Sequence, residues 1–431
     1  MFISLCLPFI SVKTLLCLSM LIYSIFLFFS FWLLCGSLVK AYRIYNPFFL
    51  LYLLWIPQVA SIFLPLLFGE SFNFRFFSDY NEAENYLSTY FILLSVGLLF
   101  LTIGYLVSFS FSYPEIKGEV SNSKLSYVVY LPFLITIAIY FMVLSNVGGL
   151  ISMMSSYRLG ARQFVNVAGL VSQLPIGYLT VFILILNNKI KQGFIFFAIV
   201  TMLLFSVGER GAVLFSGIIP CLILYFKLKG SLSINKIVFP LVLFLISYSI
   251  VGGLRDFNSE SKVSLDSKVT SALNKVEAQI NAAATIKLTD NNGYALGENY
   301  INIIYAFIPR AYWPEKPVIA ESGIIGMKLK NVSDSAGAGL PPGATAYAYY
   351  NFGTFGVVIL MSLGGVIAGV FFNLFIKSKN DFFNIIYVKI APLAYYFHST
   401  EIQVKMILPI MQIILLYMLG LAIGYFSKSK V

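Results

Sequence analysis

The sequence predicts an all-α, polytopic transmembrane bundle of about eleven spans, a single integral membrane domain over residues 1–431 with one long polar loop at 255–350. Hydrophobic residues make up 59% of the chain and charged residues only 11%, whereas a soluble domain carries roughly a quarter of its positions charged. Apolar runs recur at the length of about 20 residues that a helix needs to cross the hydrocarbon core. Lys and Arg fall between these runs with a consistent preference for one side.

Taken in order, the spans are expected at 14–36, 47–68, 86–110, 126–145, 169–187, 192–208, 211–227, 236–254, 354–376, 382–398 and 403–426. The apolar stretch before Lys13 is too short to cross alone, so it lengthens the first helix or lies at the interface. That N-terminus lacks a charged n-region and a small-x-small cleavage pattern, and reads as an uncleaved first span. Cys6, Cys17, Cys35 and Cys221 all sit inside apolar runs, without CxxC spacing. They indicate neither a disulfide framework nor a metal site. The net charge of +11 is scattered between apolar runs, unlike the clustered face of a nucleic-acid binder, so no nucleic-acid partner is expected.

Short loops set the orientation, because Lys and Arg are retained in the cytoplasm. One alternate set carries Lys40 and Arg43, Lys117 and Lys124, Lys189 and Lys191, Lys227, Lys229 and Lys236, Lys377 and Lys379, and Lys428 and Lys430. The other set includes the acidic segment with Glu70, Asp79, Glu82 and Glu84. The C-terminus is therefore expected in the cytoplasm, with the long loop and the N-terminus outside. Arg158, Arg162, Arg210, Arg255 and Arg310 fall at or near the outer face, against the usual bias. An arginine there either anchors a helix to headgroups or grips an anion through its planar fork. As a set, these five suggest an anionic ligand handled from outside.

Within the loop, residues 262–288 place Val269, Leu273, Val276, Ile280 and Ala284 at helical spacing among polar residues. The pattern predicts an amphipathic helix on the membrane surface or over the bundle mouth. Residues 298–317 hold an apolar run too short to span, which predicts an interfacial or re-entrant helix. Pro309, Pro314 and Pro317 then fix an extended turn around Arg310, Trp313 and Lys316, a cationic and aromatic surface or a plain interfacial anchor. The glycine-rich stretch 334–356 reads as a mobile entrance loop and lacks GxxxxGK[ST].

Two further positions carry chemistry. The turn SVGERGAV sets Glu209 beside Arg210, either a functional pair at membrane depth or a self-neutralising structural one. His398, Glu401 and Lys405 share a face if helix continues past span ten. His398 is the only histidine, hence the only possible imidazole base. Lys389, midway along span ten, must face a polar cavity or snorkel.

IPRAYWPEKP at 308–317 resembles the "PR..WP.KP" outer-loop signature of the Wzy-type polymerases of oligosaccharide repeat units. SVGERGAVLFSG resembles that family's Gly-x-Arg-Gly turn, and Arg158 to Gly169 fits its Arg-ten-residues-Gly motif. Ten residues beyond Arg310 stands Glu321 rather than glycine, with Gly323 two further on, a departure from the second copy of that motif. The motifs cover about a tenth of the chain, the topology all of it. The resemblance implies a GT-C-like fold in the bacterial inner membrane and an inverting, metal-independent glycosyl transfer. Substrates would be a polyprenyl-diphosphate-linked oligosaccharide donor and acceptor, with no cofactor and with a chain-length regulator as a possible partner. It implies diphosphate and substrate binding by Arg158, Arg162, Arg210, Arg255, Arg310, Trp313 and Lys316. The acceptor hydroxyl must lose a proton as the C–O bond forms, to His398 or Glu401. A flippase of lipid-linked oligosaccharide and an O-antigen ligase are the alternatives. Against the flippase stand the absence of a clear internal repeat and the charge concentrated outside the bilayer.

Overall fold

Capping and glycine placement explain where the main helices begin and how they meet. The structure, a computed structural model, describes residues 12–31, 46, 76–114, 127–147, 149, 170–171, 173–207, 209, 212–229, 277–301, 305, 313, 315–332, 339–391, 412, 414 and 418. Among them the regular structure is entirely helical. In chain order the helices are α1 (Val12–Phe31), α2 (Tyr80–Ser108), α3 (Leu131–Val147), α4 (Tyr178–Leu186), α5 (Ile190–Ser206) and α6 (Ile219–Lys229). Then follow α7 (Glu277–Asn292), α8 (Glu298–Ile301), α9 (Glu321–Lys330), α10 (Ala344–Lys377) and α11 (Asp381–Ile390). Two of these, α2 and α10, are long and apolar enough to cross a membrane. Shorter apolar helices overlap the spans expected at 14–36, 126–145, 169–187, 192–208 and 211–227. The spans expected at 47–68 and 236–254 lie outside the described residues, as does most of 403–426.

The helices gather into two units. The first takes residues 1–112, 266–373 and 393–407, and the second takes 113–265, 374–392 and 408–431. The described part of the long loop thus belongs with α1, α2 and most of α10. In this unit α2 starts from a well-formed cap. Asp79 accepts the Glu82 N–H at 2.8 Å, while the Glu82 carboxylate accepts the Ser78 N–H at 2.7 Å and the Ser78 hydroxyl at 2.9 Å. Further along, α2 meets α10 almost backbone to backbone. A Cβ on Gly104 would lie 2.1 Å from the Ser362 carbonyl oxygen, and one on Gly365 2.0 Å from that of Leu101. Gly365 and Gly369 form a GxxxG pair, the small-residue seam by which apolar helices gain van der Waals contact. At the end of the seam Asn373 donates to Ser108 Oγ at 3.4 Å.

The 34 residues of α10 are two helical arms, not one rod. Phe352 (φ −139°, ψ 15°) and Gly353 (φ 66°, ψ −156°) break the helical path, and Gly353 takes a conformation essentially closed to other residues. Residues 345 and 357 would stand about 18 Å apart on a straight helix. Yet a Cβ on Gly97 of α2 would meet Thr345 Oγ1 and Val357 Cγ1 both at 3.5 Å. The chain therefore folds back at 352–353, setting arm 344–351 beside arm 354–377. The break leaves carbonyls without their helical donors. The amides of Ala295 and Leu296 fill that role, donating to Tyr350 O at 3.0 Å and Asn351 O at 2.9 Å. The second arm matches the span expected at 354–376. The first corrects the expectation of a mobile entrance loop at 334–356: residues 344–351 form a packed arm, with Thr345, Ala346, Tyr347, Ala348, Tyr350 and Asn351 buried. Residues 334–338 lie outside the described residues.

The surface helix expected at 262–288 also needs correction in its described part. From Gln279 to Ile286 every residue of α7 is buried, polar ones included. Alanines at 282–284 let neighbours approach from all sides, so no solvent face remains. Val269, Leu273 and Val276 lie outside the described residues.

In the second unit α3, α4 and α5 are tied by hydroxyls. Thr180 donates to Val129 O at 2.8 Å, Thr136 to Leu174 O at 3.0 Å, and Tyr178 and Thr201 share a hydrogen bond of 2.9 Å. A π-helical turn, Val213–Ile218, leads into α6. The Lys227 ammonium on α6 donates to the carbonyls of Phe375 and Ser378 and to Asn384 Oδ1, and lies 4.0 Å from the centre of the Phe375 ring. One lysine thereby satisfies carbonyls at the end of α10 and fastens the turn into α11.

Candidate functional site

The long loop's share of the first unit supplies the best-formed polar site. Lys287, in the last part of α7, donates to Glu82 Oε2 at 2.8 Å and to Phe76 O at 3.1 Å, and so ties the loop to the start of α2. Past α7, positive φ at Leu296 (51°) and Gly297 (84°) turns the chain into α8. A Cβ at 297 would come within 2.6 Å of the Phe352 ring, so only glycine lets the loop close on the α10 bend. Tyr349 donates to Asp290 Oδ1 at 2.9 Å, joining the first arm of α10 to the end of α7.

Inside this frame lie aromatic rings and a buried acid. Tyr300 meets Tyr347 edge-on at 5.6 Å and stacks on Phe352 at 6.1 Å, while Tyr347 stacks on Tyr350 at 5.9 Å. Lys328 of α9 donates to Tyr350 Oη and lies over its ring. Glu321 opens α9 and is 1% exposed. Burial first, and then the nearby Glu321 carboxylate, raises the Tyr300 phenol well above its ordinary range. The surrounding helices add buried oxygens that have no hydrogen-bond partner among the described residues: Glu84 Oε1, Gln279 Oε1, Asn281 Oδ1, Thr345 Oγ1, Tyr347 Oη and Asn351 Oδ1. They sit on α2, α7 and the first arm of α10. Five of them belong to carboxyl, amide or hydroxyl groups away from the phenols, and all can accept a hydrogen bond. Buried acceptors cost free energy unless a donor reaches them. Aromatic faces and a buried carboxylate suit a ligand with hydroxyls and apolar C–H faces. The carboxylate can in addition take a proton from one such hydroxyl.

Of the residues to which the resemblance gives binding or catalytic roles, Trp313 and Lys316 are described. The Trp313 ring meets Tyr305 edge-on at 5.2 Å, and its carbonyl accepts the Lys316 N–H at 3.1 Å, which closes a tight turn in place of the extended one expected from the prolines. Arg158, Arg162, Arg210, Arg255, Arg310, His398 and Glu401 lie outside the described residues. Glu209 receives the end of α5 through its N–H to Leu204 O at 2.9 Å, and its own carbonyl accepts from Val213 at 3.3 Å, where the π-helical turn starts. Such turns recur at functional sites.

The sequence reading passed over Glu321 except as a mismatch to a glycine, and passed over Asn281, Thr345 and Asn351 altogether. The only signal for Glu321 was a carboxylate opening a helix, which is ordinary surface capping in most settings. Among the described residues no three of His, Cys, Asp or Glu come together as a metal site. No protein-family model, curated protein or solved structure matches the chain.

Proposed function

We propose that this chain is a multi-pass membrane glycosyltransferase of the bacterial inner membrane, with about eleven spans, a GT-C-like arrangement and a cytoplasmic C-terminus. In this reading it polymerises polyprenyl-diphosphate-linked repeat units on the outer face. The observation that carries it is the buried Glu321 beside Tyr300 and Tyr347, built by the one long polar loop of an apolar chain. The acceptor hydroxyl oxygen attacks the donor's anomeric carbon, the bond from that carbon to the diphosphate oxygen breaks, and the hydroxyl proton passes to a base. Arg158, Arg162, Arg210, Arg255, Arg310 and Lys316 stabilise the departing lipid diphosphate as its charge develops. Trp313 supplies a face for a sugar ring. Glu321 joins His398 and Glu401 as a candidate base.

Three contacts support the topology used here, because each joins loops assigned to the same side. Lys287 reaches Glu82 across two loops assigned outside. Lys227 reaches Ser378 O at 2.9 Å, and Lys377 reaches Tyr113 O at 3.5 Å, across loops assigned inside.

Deleting the gene tests the activity. Loss of a polymerase leaves single capped repeat units on the surface and no long chains. Polymer stranded on the lipid carrier would mean a ligase instead, and repeat units trapped inside a flippase. Among variants that still insert, Arg210→Ala, Arg310→Ala and Glu321→Gln are expected to lose long chains, at about a hundredfold or more in rate for a charge-stabilising group. Full polymer from all three sinks the proposal.

A further inference from the structure

A second buried polar group lies in the second unit, while Glu321 and the tyrosines beside it lie in the first. Lys389 stands in the last turn of α11, about 12 Å along the helix from Asp381, and is 5% exposed. Its Nζ donates to Gln412 Oε1 at 3.0 Å and sits 5.5 Å from the centre of the Phe182 ring. The ionisable group beside it is the Cys221 thiol, and no described carboxylate acts on it. Of the two described carboxylates in this unit, Asp381 acts with Lys227, and Glu209 sits at the turn before α6. Gln412 is itself 3% exposed, and its Nε2 has no hydrogen-bond partner among the described residues.

Counting donors identifies what is missing. An ammonium carries three N–H groups and a primary amide two. With one spent on Gln412 Oε1, two on Lys389 and two on Gln412 remain without a partner among the described residues, on side chains that are both buried. The Phe182 face offers partial compensation for the charge but accepts none of these hydrogens along its edge. Unmatched buried donors beside a buried positive charge call for an acceptor that carries negative charge. This excess of donors is the reverse of the buried acceptors in the first unit.

We propose that Lys389 and Gln412 hold a small inorganic anion of chloride size in the core of the second unit. The near-complete burial of both side chains selects a bare, compact ion over the phosphate of a lipid, whose tail and headgroup need an open path. The site is independent of the glycosyl-transfer reading and stands or falls separately from it.

The test uses the full-length protein purified in detergent, with sodium chloride replaced stepwise by sodium gluconate at constant ionic strength. Binding to the folded state alone raises stability with the logarithm of chloride once the dissociation constant is passed. The unfolding midpoint of the wild type is then expected to climb roughly 1–2 °C per tenfold rise in chloride. Lys389→Met removes the charge and is expected to be flat. Gln412→Glu sets a carboxylate against the ammonium in the anion's place, and is expected to fold, to be flat, and to match or exceed the chloride-saturated wild type. Should Lys389→Met fail to fold, Gln412→Glu decides alone. A flat wild-type curve overturns the proposal, since it would mean a neutral amine. So does a chloride response retained in Gln412→Glu, or a response to added diphosphate with none to chloride.

Discussion

Replacing Gly365 by Ala tests the α2–α10 seam most directly. The added Cβ would sit 2.0 Å from Leu101 O, 2.8 Å from Tyr105 N and 2.9 Å from Leu101 C, all backbone atoms that no rotamer change can move. Ordinary contact between such atoms is near 3.4 Å, so the helices must part by about 1.4 Å. A gap of about 1 Å already forfeits a quarter to a half of each neighbouring dispersion contact, and overpacking of this kind costs about 1–3 kcal/mol. Against a cost of ~3 kcal/mol at this double backbone wall, alanine returns up to ~1 kcal/mol of helix propensity. The net loss is then ~2 kcal/mol, or a midpoint lowered by roughly 2–3 °C in a chain of this length. Gly193→Ala on α5 is the matched comparison. Its Cβ would meet only the flexible Ile185 Cγ1 at 3.3 Å and Leu184 Cβ and Val181 O at 3.7 Å, so the propensity gain leaves it neutral to slightly stabilised. Thermal unfolding of both variants in detergent, followed by loss of the monodisperse peak in size exclusion, reads the difference. If Gly365→Ala unfolds within a degree of wild type, the backbone contact is not what holds the seam.

Gly353→Ala is expected to cost ~2–3 kcal/mol, because φ of 66° with ψ of −156° is a glycine conformation and the Tyr294 ring stands 3.1 Å from the new Cβ; an unchanged midpoint would argue against the fold-back of α10. Burial pushes the Asp381 carboxyl up to about 6, with the Lys227 charge opposing. A carboxyl raised in the folded state binds its proton more tightly there, so its contribution favours folding below the unfolded pKa and is lost as pH rises through about 6. The shift corresponds to ~3 kcal/mol at most, discounted to ~1–2 kcal/mol because the group is partly exposed. Asp381→Asn should therefore raise the midpoint at pH 8 more than at pH 5, and equal effects at both would refute the assignment. In a background with Cys6, Cys17, Cys35 and Cys221 replaced by Ser, Tyr294→Cys should react with an impermeant maleimide in intact cells and Lys379→Cys only after permeabilisation; labelling of position 379 from outside would invert the topology.

Much of the helical layout is legible in the apolar runs. The span expected at 86–110 appears as α2, Tyr80–Ser108, lengthened at its start because Asp79 and Glu82 cap it there. The span at 354–376 appears as the second arm of α10. Length and composition fix such segments locally. The first arm is hidden because its alanines and tyrosines carry no strong helical period, and its stability comes from contacts with α2 and the 295–296 backbone. The full burial of α7 was hidden for a related reason. Asn281, Thr285 and Thr289 read as a polar face, yet they are buried, with the two threonine hydroxyls satisfied by carbonyls of their own helix, Asn281 O at 2.7 Å and Thr285 O at 2.8 Å. A polar face in sequence therefore need not be a wet one in the fold.

The sequence alone determined the helical class, the placement of the two span-length helices, and a turn at Trp313 and Lys316. Each of these follows from chain-local physics: the cost of unpaired backbone groups in an apolar setting, the length of an apolar run, and the fixed φ of proline. Only the tertiary structure decided that α10 doubles back on itself, that Glu321 is buried beside Tyr300 and Tyr347, and that Lys389 meets Gln412. Those features depend on which distant segments come together, because burial belongs to the neighbours of a residue and not to the residue itself.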